Sequence, residues 1–207
     1  MSDLAPLVLP AVGFDAQSTL ELSLSVSQSR SGGRLTNVIE FADPVWIATM
    51  KTLPLYNADY RRVQTWFNSM RGGIRPVIFR LPRYVPAAHA GNLEPAKQAG
   101  TVSAVTSANV VSVIGVHAAL ILTQGDFVSF LTPAGRRYLV QVDKVNGSGT
   151  SRTITFEPPL SIGANIDAAT VYFDRAEILM RPIWNSFKPE TPGYVCPASF
   201  QLVESRL

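Results

Sequence analysis

Two histidines, one cysteine and a scatter of carboxylates are the residues with which this chain could do chemistry. His89 and His117 lie in no metal-ligand spacing and beside no candidate nucleophile, so both read as loop histidines whose nitrogens serve local hydrogen bonds. Asp126, Asp143, Glu157, Asp167, Asp174 and Glu177 are spread over turns and strand ends, and no two are paired as a general acid and base. Cys196 is the single cysteine, which rules out an intrachain disulfide and a thiolate zinc site within one chain. Gly32-Gly33, Gly72-Gly73 and Gly147-Ser148-Gly149 lack the Lys-Ser/Thr continuation of a phosphate-binding loop and read as turn glycines. Trp46, Trp66 and Trp184 could stack on a sugar or a base, but each adjoins an apolar run and reads first as core or subunit packing. These residues predict no catalytic centre, no metal and no cofactor.

Charge and hydropathy narrow the classes further. With 207 residues, 46% hydrophobic and 16% charged, the chain is long enough to bury a real core. A net charge of +3 with scattered arginines gives little electrostatic drive for nucleic-acid binding. No apolar run reaches the roughly 20 residues of a membrane-spanning helix. Residues 1 to 10 are apolar but interrupted by prolines and lack a cationic start, so they read as an arm and not a signal peptide.

The elements that would position any functional group are mostly strands. The exception is the run from Asn57 to Gly73, in which Tyr60, Val63, Phe67 and Met70 recur at three- and four-residue spacing and form one apolar stripe. Asn57 is placed to cap this helix, Asp59 puts negative charge in its first turn, and Arg71 followed by Gly72 reads as a cationic last turn and a left-handed stop. Arg61, Arg62, Gln64 and Asn68 occupy the other faces.

Before the helix, Leu20, Leu22, Leu24 and Val26 alternate with polar residues as a half-buried strand. Ser29 to Arg34 reads as a hairpin loop, and Val38 to Met50 as a strand interrupted by an edge position or a bulge at Asp43-Pro44. Arg75 to Leu81, including Phe79, is a further strand. Past a proline- and alanine-rich connector near Pro86, five short β runs follow: 101–105, 110–114, 127–131, 137–145 and 153–156. They predict a small antiparallel barrel, OB-like or SH3-like. Strand character returns at 169–173 and 177–180, a loop rich in proline (Pro182, Pro189, Pro192, Pro197) intervenes, and a strand at 200–205 pairs with the first segment. The expected organisation is a split domain, residues 1–85 and 174–207, interrupted by an inserted barrel at 86–173.

Several of these segments together resemble the distal tail proteins of long-tailed bacteriophages. One match runs from Trp46 through Tyr60, Trp66-Phe67 and Ser69-Met70-Arg71-Gly72-Gly73 to Arg75-Pro76-Val77-Ile78-Phe79. The second runs over 122–137 and includes Gly125-Asp126-Phe127, then Tyr138-Leu139-Val140 and Phe156-Glu157-Pro158-Pro159-Leu160. The resemblance covers roughly residues 36 to 185 and contains packing and turn signatures with no catalytic residue. It implies a mainly β protein: a tail-tube-like β-sandwich or barrel with one flanking helix and an inserted barrel. It further implies a hexameric ring in the virion, at the phage tail tip, whose partners are other copies of itself, the tail tube protein, the tail-tip hub protein and side-fibre components reached through the insertion. Trp46, Tyr60, Val63, Trp66, Phe67, Met70 and Phe79 are then core or subunit-packing residues. The alternative expectation is a β-rich carbohydrate-binding module of a host-recognition apparatus.

Overall fold

The computed structural model describes residues 5–31, 35–161, 164–189 and 195–205. In chain order the elements are β1 (Leu7–Val8), β2 (Thr19–Ser31), β3 (Leu35–Lys51), β4 (Leu55–Tyr56), α1 (Asn57–Ser69), β5 (Val77–Arg80), α2 (Glu94–Lys97), β6 (Gly100–Ser107), β7 (Val110–Ile114) and β8 (Phe127–Leu131). They continue with β9 (Arg137–Asn146), β10 (Ser151–Glu157), β11 (Thr170–Tyr172), β12 (Glu177–Pro182), β13 (Lys188–Pro189), β14 (Val195–Cys196) and β15 (Ala198–Glu204). The protein is mainly β, with one long helix and a closed six-stranded antiparallel barrel.

The chain divides into two compact units, one running to Val77 and resuming at Met180, the other spanning Ile78–Leu179. In the first unit, α1 accompanies an open sheet whose strands follow the order β1-β5-β12-β15-β3-β2, with β13 added on β15. The C-terminal strand is tied in by register: Phe200 faces Met50 and Leu202 faces Ala48 across an antiparallel ladder. Period-two alternation turns Ala198, Phe200 and Leu202 inward, and Trp46, Ala48 and Met50 are likewise buried. The β15 ladder on β3 ends at Ile47, whereas β2 accompanies β3 as far as Leu35. Leu20 and Leu22 are therefore half-buried, while Leu24 and Val26, further along the same alternation, are exposed. The apolar face expected for β2 is covered over only half its length, because the sheet beside β3 is shorter than the hairpin. At Asp43-Pro44 the strand continues, but its register against β2 shifts, from Ser23↔Val45 to Ser25↔Ala42 to Val26↔Glu40, which is a bulge. The Gly32-Gly33 tip and Pro192 lie outside the described residues.

The second unit is built on the barrel, closed in the order β10-β7-β6-β11-β8-β9. Alternating residues of each strand point inward, as with Ile154 and Phe156 of β10. Val111, Val113, Phe130, Val142, Phe156 and Phe173 are among its fully buried members. All six strands fall on runs that read as strands, but only five of them were grouped into the barrel. The sixth, β11, is only three residues long and closes the barrel by pairing Val171 with both Gly100 and Phe130. Where β6 begins, a side chain at Gly100 would stand 2.6 Å from Val113 and 2.9 Å from Val116, so the closure depends on a residue without one.

The ends of α1 differ from the expectation. Tyr56 is extended, with φ −66° and ψ 156°, because β4 pairs it with Val195, and the helix starts directly behind it. Asn57 is thereby the first helical residue, and the helix begins with no side-chain cap. At the other end Met70 closes the helix, and Arg71, Gly72 and Gly73 follow at φ 49°, 65° and 103°. The chain thus leaves the helix before Arg71, which stands in the left-handed turn, outside the last helical turn.

Candidate functional site

Several of the groups with catalytic chemistry hold backbone in place. His89 is buried and its Nε2 accepts the amide of Ile121 at 3.0 Å. His117 accepts the amide of Ala119 through Nδ1. The buried carboxylate of Asp126 accepts from the amides of Ala87 (2.9 Å) and Thr123 (2.7 Å) and from the Thr123 hydroxyl (3.0 Å). It anchors the connector that leads into the barrel. Tyr84 lies edge-on to the ring of Phe127, donates its hydroxyl to the Phe127 carbonyl and accepts the Phe127 amide. Burial pushes its pKa far above the usual phenol range, with a smaller push from Asp126 and an opposing pull from the backbone hydrogen bond.

Arg152, buried in β10, donates to the carbonyls of Gly149, Ser151, Ala118 and Leu120. Glu177, also buried, is the centre of an arginine cluster: Arg80 donates to it twice, Arg137 lies at 3.7 Å and Arg175 at 4.0 Å. Asp174 adds a second carboxylate, 3.1 Å from Arg175. These are positioning networks for strand ends and turns. Among the described residues, no cluster of three or more His, Cys, Asp or Glu could hold a metal, and no helix is long and apolar enough to cross a membrane.

The residues singled out for packing fall into two groups. Trp46, Val63, Met70 and Phe79 are buried. Tyr60, Trp66 and Phe67 are half-buried and form the rim of an aromatic cluster. Phe67 stands 5.2 Å from Phe187 and 6.0 Å from Phe200, Tyr60 stands 5.8 Å from Phe187, and Trp66 stands 5.5 Å from Phe200. The indole nitrogen of Trp66 donates to the carbonyl of Val8, which fastens the N-terminal arm to the helix. Cys196 is a half-buried free thiol in β14.

Two surface features of the sheet unit were not legible as such. The first is a groove of about 540 Å³ at the C-terminal end of α1, walled by Phe67, Arg71, Gly72, Ile183, Trp184 and Phe187. Trp184 is 75% exposed, although its apolar surroundings in sequence suggested packing; its six-membered ring passes over Gly72, where a Cβ would stand 3.1 Å away. The second is the outer part of the β2–β3 hairpin, where Leu24, Val38, Ile39 and Phe41 are 57, 54, 56 and 69% exposed. Cross-strand pairing of Val26 with Glu40 and of Gln28 with Val38 puts Val26 and Val38 on one face, and the pairing of Ser27 with Ile39 puts Ile39 on the other. The only clue to this in sequence was that the apolar alternation of β2 and β3 runs longer than any neighbouring strand that could cover it. Compared with known proteins, the chain matches no protein-family model and no curated protein sequence.

Proposed function

We propose that this chain is a virion structural protein, a distal-tail adaptor that assembles head to tail into a closed ring joining the tail tube to the tail tip. The observation that carries the reading is the outer β2–β3 hairpin. Over Leu35–Ala42, β3 has β2 as its strand partner, a ribbon of roughly 25 Å. A two-stranded ribbon is marginal in water by itself, and this one displays apolar side chains on both faces. A neighbouring subunit covers such a ribbon. The resemblance in the helix and barrel segments supplies the family, the hexameric state and the partners: tail tube, tip hub and, through the barrel, outer tip components. Sedimentation velocity and negative-stain images of the purified protein test it, with rings as the expected species. A protein that stays monomeric at every concentration and is missing from purified virions contradicts it.

One observation favours a second reading, a carbohydrate-binding module. Trp184 offers an open aromatic face beside the hydrogen-bonding side chains of Asn68, Asn185 and Arg71, an arrangement on which a sugar ring could stack. Glycan-array binding that a Trp184→Ala change abolishes, with the far-UV spectrum unaltered, supports it.

A further inference from the structure

We infer that the arginine cluster around Glu177 is a binding site for one external carboxylate, held chiefly by Arg137. Arg80, Arg137, Asp174, Arg175 and Glu177 all belong to the barrel unit. Three strand ends bring them together: Arg80 closes β5, Arg137 opens β9 and Glu177 opens β12, with Asp174 and Arg175 in the turn just before it. That turn is fixed from below. Ser129, itself buried, donates its hydroxyl to the Arg175 carbonyl at 2.7 Å, and the Arg175 guanidinium lies 4.3 Å from the centre of the Tyr172 ring.

The cluster is short of negative charge. Three guanidinium groups face two carboxylates, and an arginine cannot shed its proton to relieve the surplus. Lys97 also senses Asp174, but it is balanced by its own partner Glu94. Both carboxylates are engaged elsewhere: Glu177 Oε1 accepts both hydrogen bonds of Arg80, and Asp174 accepts from Nε of Arg175. Arg137 is left over. Its Nε is enclosed, stands 3.7 Å from Glu177 Oε2 and makes no hydrogen bond. Its two Nη groups find no acceptor among the described residues either, but they are open to solvent, through a side chain that is 19% exposed. Enclosing a charged donor without an acceptor is unfavourable, so the arrangement gains from one supplied from outside. A planar carboxylate matches the guanidinium fork and brings the charge of the cluster to zero. A phosphate dianion would overshoot it and meet Asp174 and Glu177.

Thermal melts of the full chain in sodium acetate, sodium phosphate and sodium chloride at equal ionic strength test this. An anion that binds only the folded protein raises the melting temperature along a saturating curve, and acetate is expected to do so where chloride does not. Arg137→Gln is expected to move the acetate half-saturation up at least about tenfold, the loss typical of one charge-assisted hydrogen bond. Arg62→Gln, on the exposed surface of α1, is expected to leave it unchanged, which separates binding from the general effect of the salt on folding. Circular dichroism checks that each variant is folded. Should Arg137→Gln misfold, Arg80→Gln carries the test with the same expected direction, because that side chain is 57% exposed. Acetate that acts no differently from chloride overturns the inference. So does phosphate that saturates where acetate does not, and so does acetate binding that no folded arginine variant of the cluster weakens.

Discussion

At the scale of single residues, buried polar side chains do the work of fixing backbone. Asp126 gathers two amides and a hydroxyl. Asp126→Ala leaves those amide donors unmet and is expected to lower stability by about 2 to 4 kcal/mol in urea melts, with Asp126→Asn, which keeps one acceptor, losing less. Tyr84 gives a pH-dependent counterpart. Its folded pKa lies above the unfolded value of 10.0, so its contribution is fully present below about pH 10. As the pH rises past that value, the unfolded chain releases the phenolic proton while the folded chain keeps it, and stability falls. Tyr84→Phe is expected to cost about 1 kcal/mol near pH 7, through the lost bridge to Phe127, and to flatten the decline above about pH 10 when melts are repeated along a pH series. The Gly125-Asp126-Phe127 run was legible as a turn signature. The partners of Asp126 were not, because the Ala87 amide lies 39 positions away in sequence.

At the scale of elements, local periodicity was a good guide wherever a strand or helix carried its own pattern. The stripe of α1 and five barrel strands could be read directly, since their alternation is visible within a few residues. The cap of α1 was misplaced by one residue, on Asn57, because what sets the start of the helix is the pairing of Tyr56 with Val195, a contact between residues far apart in the chain. Thr170–Tyr172 reads as strand, but three residues say nothing about which sheet they join; its place in the barrel follows from partners on β6 and β8. Barrel closure at that strand is expected to be sensitive to volume: Gly100→Ala drives a methyl against Val113 and Val116 and should cost about 1 to 3 kcal/mol by thermal melt. On α1, Phe67→Ala removes half-buried ring contacts to Phe187 and Phe200 and should cost about 2 to 3 kcal/mol. Arg62→Ala breaks a solvent-exposed pair with Asp59 and should cost under about 0.5 kcal/mol. Equal losses in the two would show that the stripe has been assigned to the wrong face.

At the scale of the molecule, the second unit leaves and rejoins the sheet through adjacent strands. β5 and β12 are neighbours in the sheet, and just beyond them the Leu81 amide donates to the Ala176 carbonyl at 3.0 Å. Replacing residues 82–175 by a short Gly/Ser linker is therefore expected to leave the sheet unit folded, as judged by circular dichroism and a cooperative melt. On the ring reading the shortened protein still assembles. An unfolded product would show that the sheet depends on the barrel. The bulge at Asp43-Pro44 carries one more consequence. It falls just past Ile47, where β15 stops and the side of β3 opens, and it offsets the ladder there with a residue that has no amide to donate. An open strand side of that length is a template on which further strands could add without limit. The offset interrupts that template at the point where the open side begins, the device by which exposed strand edges are kept from adding further strands.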